Sequence, residues 1–175
     1  GCCGPEIYRN LVATLEKVRR HFNQQPPTLA CIDPSHWTIW GIWQLEMHSG
    51  APLPGNRGNC PTAANCCDEC FTVKGFMHDR HEINYILWGF LICMCGHAIG
   101  DAVLWADTYK AIKSLSETPT NPCHLKWQIT PSLEDWIVAG AKYAGCRTPG
   151  EFFRRRRKFQ PLEQYVPKYH NSRFS

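Results

Sequence analysis

Thirteen consecutive residues, Ile83 to Cys95, carry one strongly polar side chain, Asn84. A run this apolar has to be hidden, in lipid or inside a protein. Crossing a bilayer takes about 20 residues, so the run predicts a buried central helix rather than a membrane span. The other elements must then form a shell around it. The chain has the means, with 175 residues, 43% apolar and only 19% charged side chains, which fits one domain able to bury a single core. The expected fold is mainly α with minor β: a compact cysteine-rich helical domain over residues 1–150, with a basic C-terminal tail over 151–175.

The shell can be read from periodicity. Pro5 suits the first position of a helix, and Ile7, Leu11, Leu15, Val18 and Phe22 follow at helical spacing, an amphipathic stripe. Gln24-Gln25-Pro26-Pro27 ends it. Residues 36–47, with Trp37, Trp40, Leu45 and Met47, lean helical. Residues 49–70 predict a long Gly/Pro/Cys loop, of a length usually functional or crosslinked. Phe71 to Phe76 reads as a short strand. Gly96 and Gly100 should break the central helix. A second helix is expected from near Asp101, with Val103, Leu104, Ala111 and Leu115 as its apolar residues and Asp107, Lys110 and Lys113 outward. Thr130-Pro131 opens a further helix carrying Leu133, Trp136, Ile137 and Ala141, with Gly145 as its stop.

Charge and cysteine bound the setting. Residues 147–175 hold eight basic and two acidic side chains, net +6 against +4 for the whole chain. The body is therefore near neutral, which favours a local anionic contact over a nucleic-acid-binding fold. Eleven cysteines suit an oxidising compartment, so a secreted protein is expected, or one delivered into a target cell. The odd count leaves a thiol free unless another chain or a metal takes it. The opening Gly1-Cys2-Cys3-Gly4-Pro5 has no signal-peptide character, as expected of a mature or excised piece of a longer chain.

The densest polar cluster, Met77 to Tyr85, stands at the mouth of the apolar helix. Asp79 can cap that helix with Glu82 at the third helical position, the spacing of a capping box. The same residues also read as a site. On a helix His81 and Tyr85 share a face, and Asp101, opening the following antiparallel helix, is the natural carboxylate to orient the imidazole. A His so held, beside a carboxylate able to hold a hard cation, can activate water. A different reading places His78, His81 and Glu82 at i, i+3, i+4 on one helical face, a spacing that can bind Zn2+, with His97 and Asp101 repeating the pattern.

Asp79-Arg80-His81-Glu82-Ile83-Asn84-Tyr85 resembles the Arg-His-Asp-x-x-Tyr helix of the small bacterial and fungal secreted phospholipases A2. The stretch Asp101 to Lys110 is similar to that family's second long helix, and Trp136 to Gly145 to its last. The resemblance covers about residues 79–115. It implies His81 as general base for water, Asp101 and Tyr85 hydrogen-bonded around it, and Ca2+ at Glu82, the metal ligand. It departs from the pattern in three places. Glu82 stands where the family has the shorter Asp, His78 where a disulfide Cys is usual, and Gly55 to Gly58 is only a positional match to the calcium loop.

Two further features stay open. Cys60, Cys66, Cys67 and Cys70 have zinc-ligand spacings but suit disulfides better, and nothing activates Cys60 as a nucleophile. Arg154-Arg155-Arg156-Arg157-Lys158, flanked by Phe152, Phe153 and Phe159, suits phosphates of a phospholipid or membrane surface, nucleic acid not being excluded, or is simply solvated. The sequence thus predicts a calcium-dependent, phospholipase-like hydrolase with His81, Asp101 and Tyr85 as catalytic residues. The alternatives are a metal-dependent effector toxin, nuclease or peptidase, using His78, His81 and Glu82, and a non-catalytic, disulfide-stapled binding domain.

Overall fold

A computed structural model describes residues 6–24, 70–116, 131–146 and 160–170. The expected helix at 36–47, the Gly/Pro/Cys loop up to residue 69 and the basic run 154–158 lie outside these. The fold is mainly helical with a small two-stranded sheet.

Helix α1, Tyr8–Gln24, buries the stripe Ile7, Leu11, Leu15 and Val18, as its spacing requires. The expected strand is instead a hairpin. Strands β1, Cys70–Val73, and β2, Phe76–Asp79, pair antiparallel with Val73 opposite Phe76 and Cys70 opposite Asp79. Between them Lys74 and Gly75 both have positive φ, 54° and 85°, as the tight hairpin turns matched to strand twist demand. Glu6 ties the chain start to this turn. Its carboxylate accepts from the backbone N–H groups of Tyr8, Lys74 and Gly75 at 3.0–3.2 Å.

Helix α2, Arg80–Met94, is the buried run. Ile83, Ile86, Leu87 and Phe90 are fully buried. Its main partner is α4, Pro131–Ala144, which runs parallel to it. Glu82 meets Ser132 in the two first turns, Phe90 meets Tyr143 further on, and Cys93 bonds Cys146 at the far end. The two backbones touch because each helix offers a glycine. A Cβ on Gly89 would lie 1.9 Å from the Ile137 carbonyl oxygen, and one on Gly140 1.9 Å from that of Ile86. Both helices end in the same way. Gly96 donates to Cys93 O and His97 to Ile92 O, while Gly145 donates to Lys142 O and Cys146 to Ala141 O, two Schellman ends. The Cys93–Cys146 disulfide, with Cα atoms 5.8 Å apart, then fastens those ends across 53 residues of sequence. Cys95 is disulfide-bonded as well.

Helix α3, Ile99–Ser116, returns antiparallel along α2, and Trp88 Nε1 donates to Ala102 O at 2.8 Å. Its inward face differs from the expected one. Ile99, Ala102, Ala106 and Lys110 are buried, while Leu104 and Ile112 are 61% and 62% exposed. Small alanines let α3 approach α2, and Lys110 lays its ammonium 5.0 Å from the centre of the Tyr85 ring, a cation–π contact that offsets its burial. No described helix is long and apolar enough to cross a membrane.

The division at residue 150 does not hold for residues 160–170. This segment includes a 3-10 turn, Leu162–Gln164, and buries Leu162 and Val166 in the common core. Glu163 accepts a hydrogen-bonded ion pair from Lys74 at 2.9 Å and donates its N–H to Tyr8 Oη at 3.1 Å. It is a strap across the body, not a solvated tail.

Candidate functional site

Parallel packing brings the first turns of α2 and α4 together, and with them the positive ends of two helix dipoles. Glu82, at the third position of α2, is 6% exposed there, and Ser132 Oγ donates to its Oε2 at 2.7 Å. The anionic carboxylate thus sits where both dipoles favour it and a hydroxyl satisfies one of its oxygens. Tyr169 of the strap closes the group by donating to Asp135 Oδ2 at 2.5 Å. Burial, then the bond to Asp135, pushes the Tyr169 phenol up to about 12.

His78 does not belong to the helix. It lies on β2, two residues before α2 starts, so the zinc-ligand face at i, i+3, i+4 does not exist. The strand ends only at Asp79, because Met77 and His78 are needed opposite Thr72 and Phe71 to complete the hairpin. The His78 side chain is fully buried. It stands edge-on to Trp136 at 5.0 Å and to Tyr169 at 5.9 Å between ring centres. Neither of its ring nitrogens makes a well-formed hydrogen bond; the nearest acceptor is the backbone carbonyl of Pro167. Burial lowers its pKa to about 4; the Pro167 carbonyl pulls the other way, and the nearby His170 adds to the lowering. His78 is therefore a neutral core histidine.

Asp101 is at the third position of α3, where its Oδ2 accepts from the Ala98 N–H at 3.1 Å. That is one arm of a capping box. It does not reach the mouth of α2. The link between α2 and α3 is only residues 95–98, so the start of α3 lies against the end of α2, with Ala102 beside Trp88. Trp88 is seven residues beyond His81, about 10 Å along a helix axis. The expected His81–Asp101 pair would need a shorter α2 or a longer link. His81 itself lies in the first turn of α2. Tyr85, four residues on, is nearly buried with Lys110 over its ring.

Ser132, Asp135, Tyr169 and His170 belong to this cluster without any signal in the sequence reading. Ser132 and Asp135 were legible only as the first turn of a helix. Tyr169 and His170 sat in what read as tail. Among the described residues, no group of three or more His, Cys, Asp and Glu side chains is placed to hold a metal ion. The chain matches no protein-family model, no curated protein and no solved structure.

Proposed function

We propose that the chain is a non-catalytic, disulfide-stapled binding domain that meets an anionic surface, a layer of phospholipid headgroups, through Arg154–Lys158. One observation carries the first half: each described side chain of the expected catalytic set is occupied within the fold. Glu82 holds Ser132, Asp101 caps Ala98, Tyr85 lies under Lys110, and His78 is sealed against Trp136. Charge supports the second half. Residues 147–175 carry net +6, and the basic run lies between two anchored points, the Cys146 disulfide and the docked strap from Gln160. Each Lys or Arg close to an anionic membrane contributes about 1 kcal/mol, so five together bind measurably.

Co-sedimentation with vesicles tests this. Vesicles containing phosphatidylserine should retain the protein and phosphatidylcholine vesicles should not, and retention should fall with added salt. Replacing Arg154–Lys158 by Gln should abolish it. Equal binding to both vesicle types, or none, refutes the surface; tighter binding to RNA reassigns it to nucleic acid. Ca2+-dependent release of fatty acid, lost in His81→Ala, would establish the hydrolase reading instead.

A further inference from the structure

The strap Gln160–His170 is held to the body by a hydrogen bond from the hairpin and by its packing over a buried histidine. His170 Nδ1 accepts the backbone N–H of Met77 at 3.1 Å, and its ring meets Phe76 at 5.5 Å. His78 lies beneath the strap, enclosed by Trp136 of α4 and Tyr169 of the strap. Its nitrogens have only the Pro167 backbone carbonyl as an acceptor nearby, so an imidazolium there would be buried without an anion.

The surrounding charges do not rescue it. From the strap, His170 faces His78 and opposes its charge. Tyr169 is committed to Asp135, and Glu82 to Ser132. Across the hairpin the neighbour is the apolar Phe71. Asp79, next along β2, is buried and, by strand alternation, projects to the other side.

We propose that residues 160–170 form an acid-sensitive latch: protonation of the covered His78 frees the strap while the α2–α4 pair stays folded, uncovering Trp136 and the Glu82–Ser132 pair. The proton taken up by His78 is hydrated only once Tyr169 has moved away. The α2–α4 pair has its own attachments, the glycine contact and the Cys93–Cys146 disulfide, which contain no titrating group. The latch does not depend on what the domain binds.

Hydrogen exchange on the full oxidised chain, followed by mass spectrometry from pH 7.5 to pH 5 and corrected for the intrinsic pH dependence, tests it. If His78 titrates at 6.5 when released and at about 4 when covered, its share of the opening equilibrium at pH 5 rises about thirtyfold. Peptides covering 160–170 should lose protection by at least that factor while those of α2 and α4 keep theirs. His78→Phe, which does not titrate, should remove most of that loss. Unchanged strap protection in the wild type at pH 5 overturns the proposal. So does loss of strap and helices in one step, or a loss as large in His78→Phe as in the wild type.

Discussion

Gly89→Ala should lower stability even though alanine is the better helix former. In an open helix the change would favour folding by about 1 kcal/mol. Here the new Cβ would lie 1.9 Å from the Ile137 carbonyl oxygen, where ordinary contact begins at 3.4 Å. The helices must separate by up to 1.5 Å, the difference of those two distances. The obstacle is backbone, so no side chain can rotate away. A gap of 0.5–1 Å already forfeits a quarter to a half of the dispersion energy of the atoms facing it, and Ile86, Phe90, Leu133, Trp136 and Ile137, all fully buried, line this seam. Overpacking of this kind costs about 1–3 kcal/mol or more. At the upper end and net of propensity, a loss of roughly 2 kcal/mol is expected, a fall in Tm of about 4–8 °C for a chain this size. Thermal melts by circular dichroism, disulfides intact, measure it. Gly140→Ala should behave alike, and the double variant should cost less than the sum, because the first change has already parted the helices. If either single variant keeps or raises Tm, the two backbones are not in contact and the parallel pairing is wrong.

Stability should fall as the solution is acidified. His78 has a folded pKa of about 4 against 6.5 unfolded, so the unfolded chain binds the extra proton. Its contribution is whole above pH 6.5 and is lost progressively down to pH 4, to a total of about 3 kcal/mol; denaturant midpoints at several pH values, compared with His78→Phe, report it. Cys93→Ser should cost about 4 kcal/mol, from the entropy of the 53-residue loop that the disulfide closes, read from the same melts. Deleting residues 160–175 should lower Tm, since Leu162 and Val166 leave the core, each worth about 1.5–3 kcal/mol before the strap regains its entropy. Intact stability after that deletion would mean the strap is not part of the fold.

What periodicity can encode, the chain displays openly. The 4, 4, 3 spacing of Ile7, Leu11, Leu15 and Val18 is buried as read, and the apolar run from Ile83 is the central helix. Gly96 and Gly145 stop their helices because each takes positive φ, 87° and 104°. Pairings over long separations were less visible. Nothing local says that α4 lies parallel to α2 from 50 residues away. The informative residues were Gly89 and Gly140, since a glycine inside an otherwise good helix marks close backbone approach. The hairpin was missed because His78 and Asp79 are polar and look like a helix mouth, whereas buried they complete β2. Asp101 was read as the carboxylate that opens the antiparallel helix after His81, but the register of a helical hairpin is set by the length of its link, and residues 95–98 are too few to bring Asp101 back that far. The strap was hidden by the basic run before it, although Leu162 and Val166, four residues apart, are the apolar positions that anchor it.

The role of Glu82 decides between a structural and a catalytic mouth of α2, and thermal melts of the wild type and Glu82→Ala, each with and without Ca2+ or Zn2+, measure it most directly. The variant takes from the Ser132 hydroxyl its buried carboxylate acceptor and leaves a cavity beside it, at about 1–3 kcal/mol. The account therefore predicts a Tm lower by several degrees in Glu82→Ala and the same small response to either metal in both proteins. A metal-induced rise in the wild-type Tm, the signature of a ligand bound to the folded state, that disappears in Glu82→Ala would contradict it.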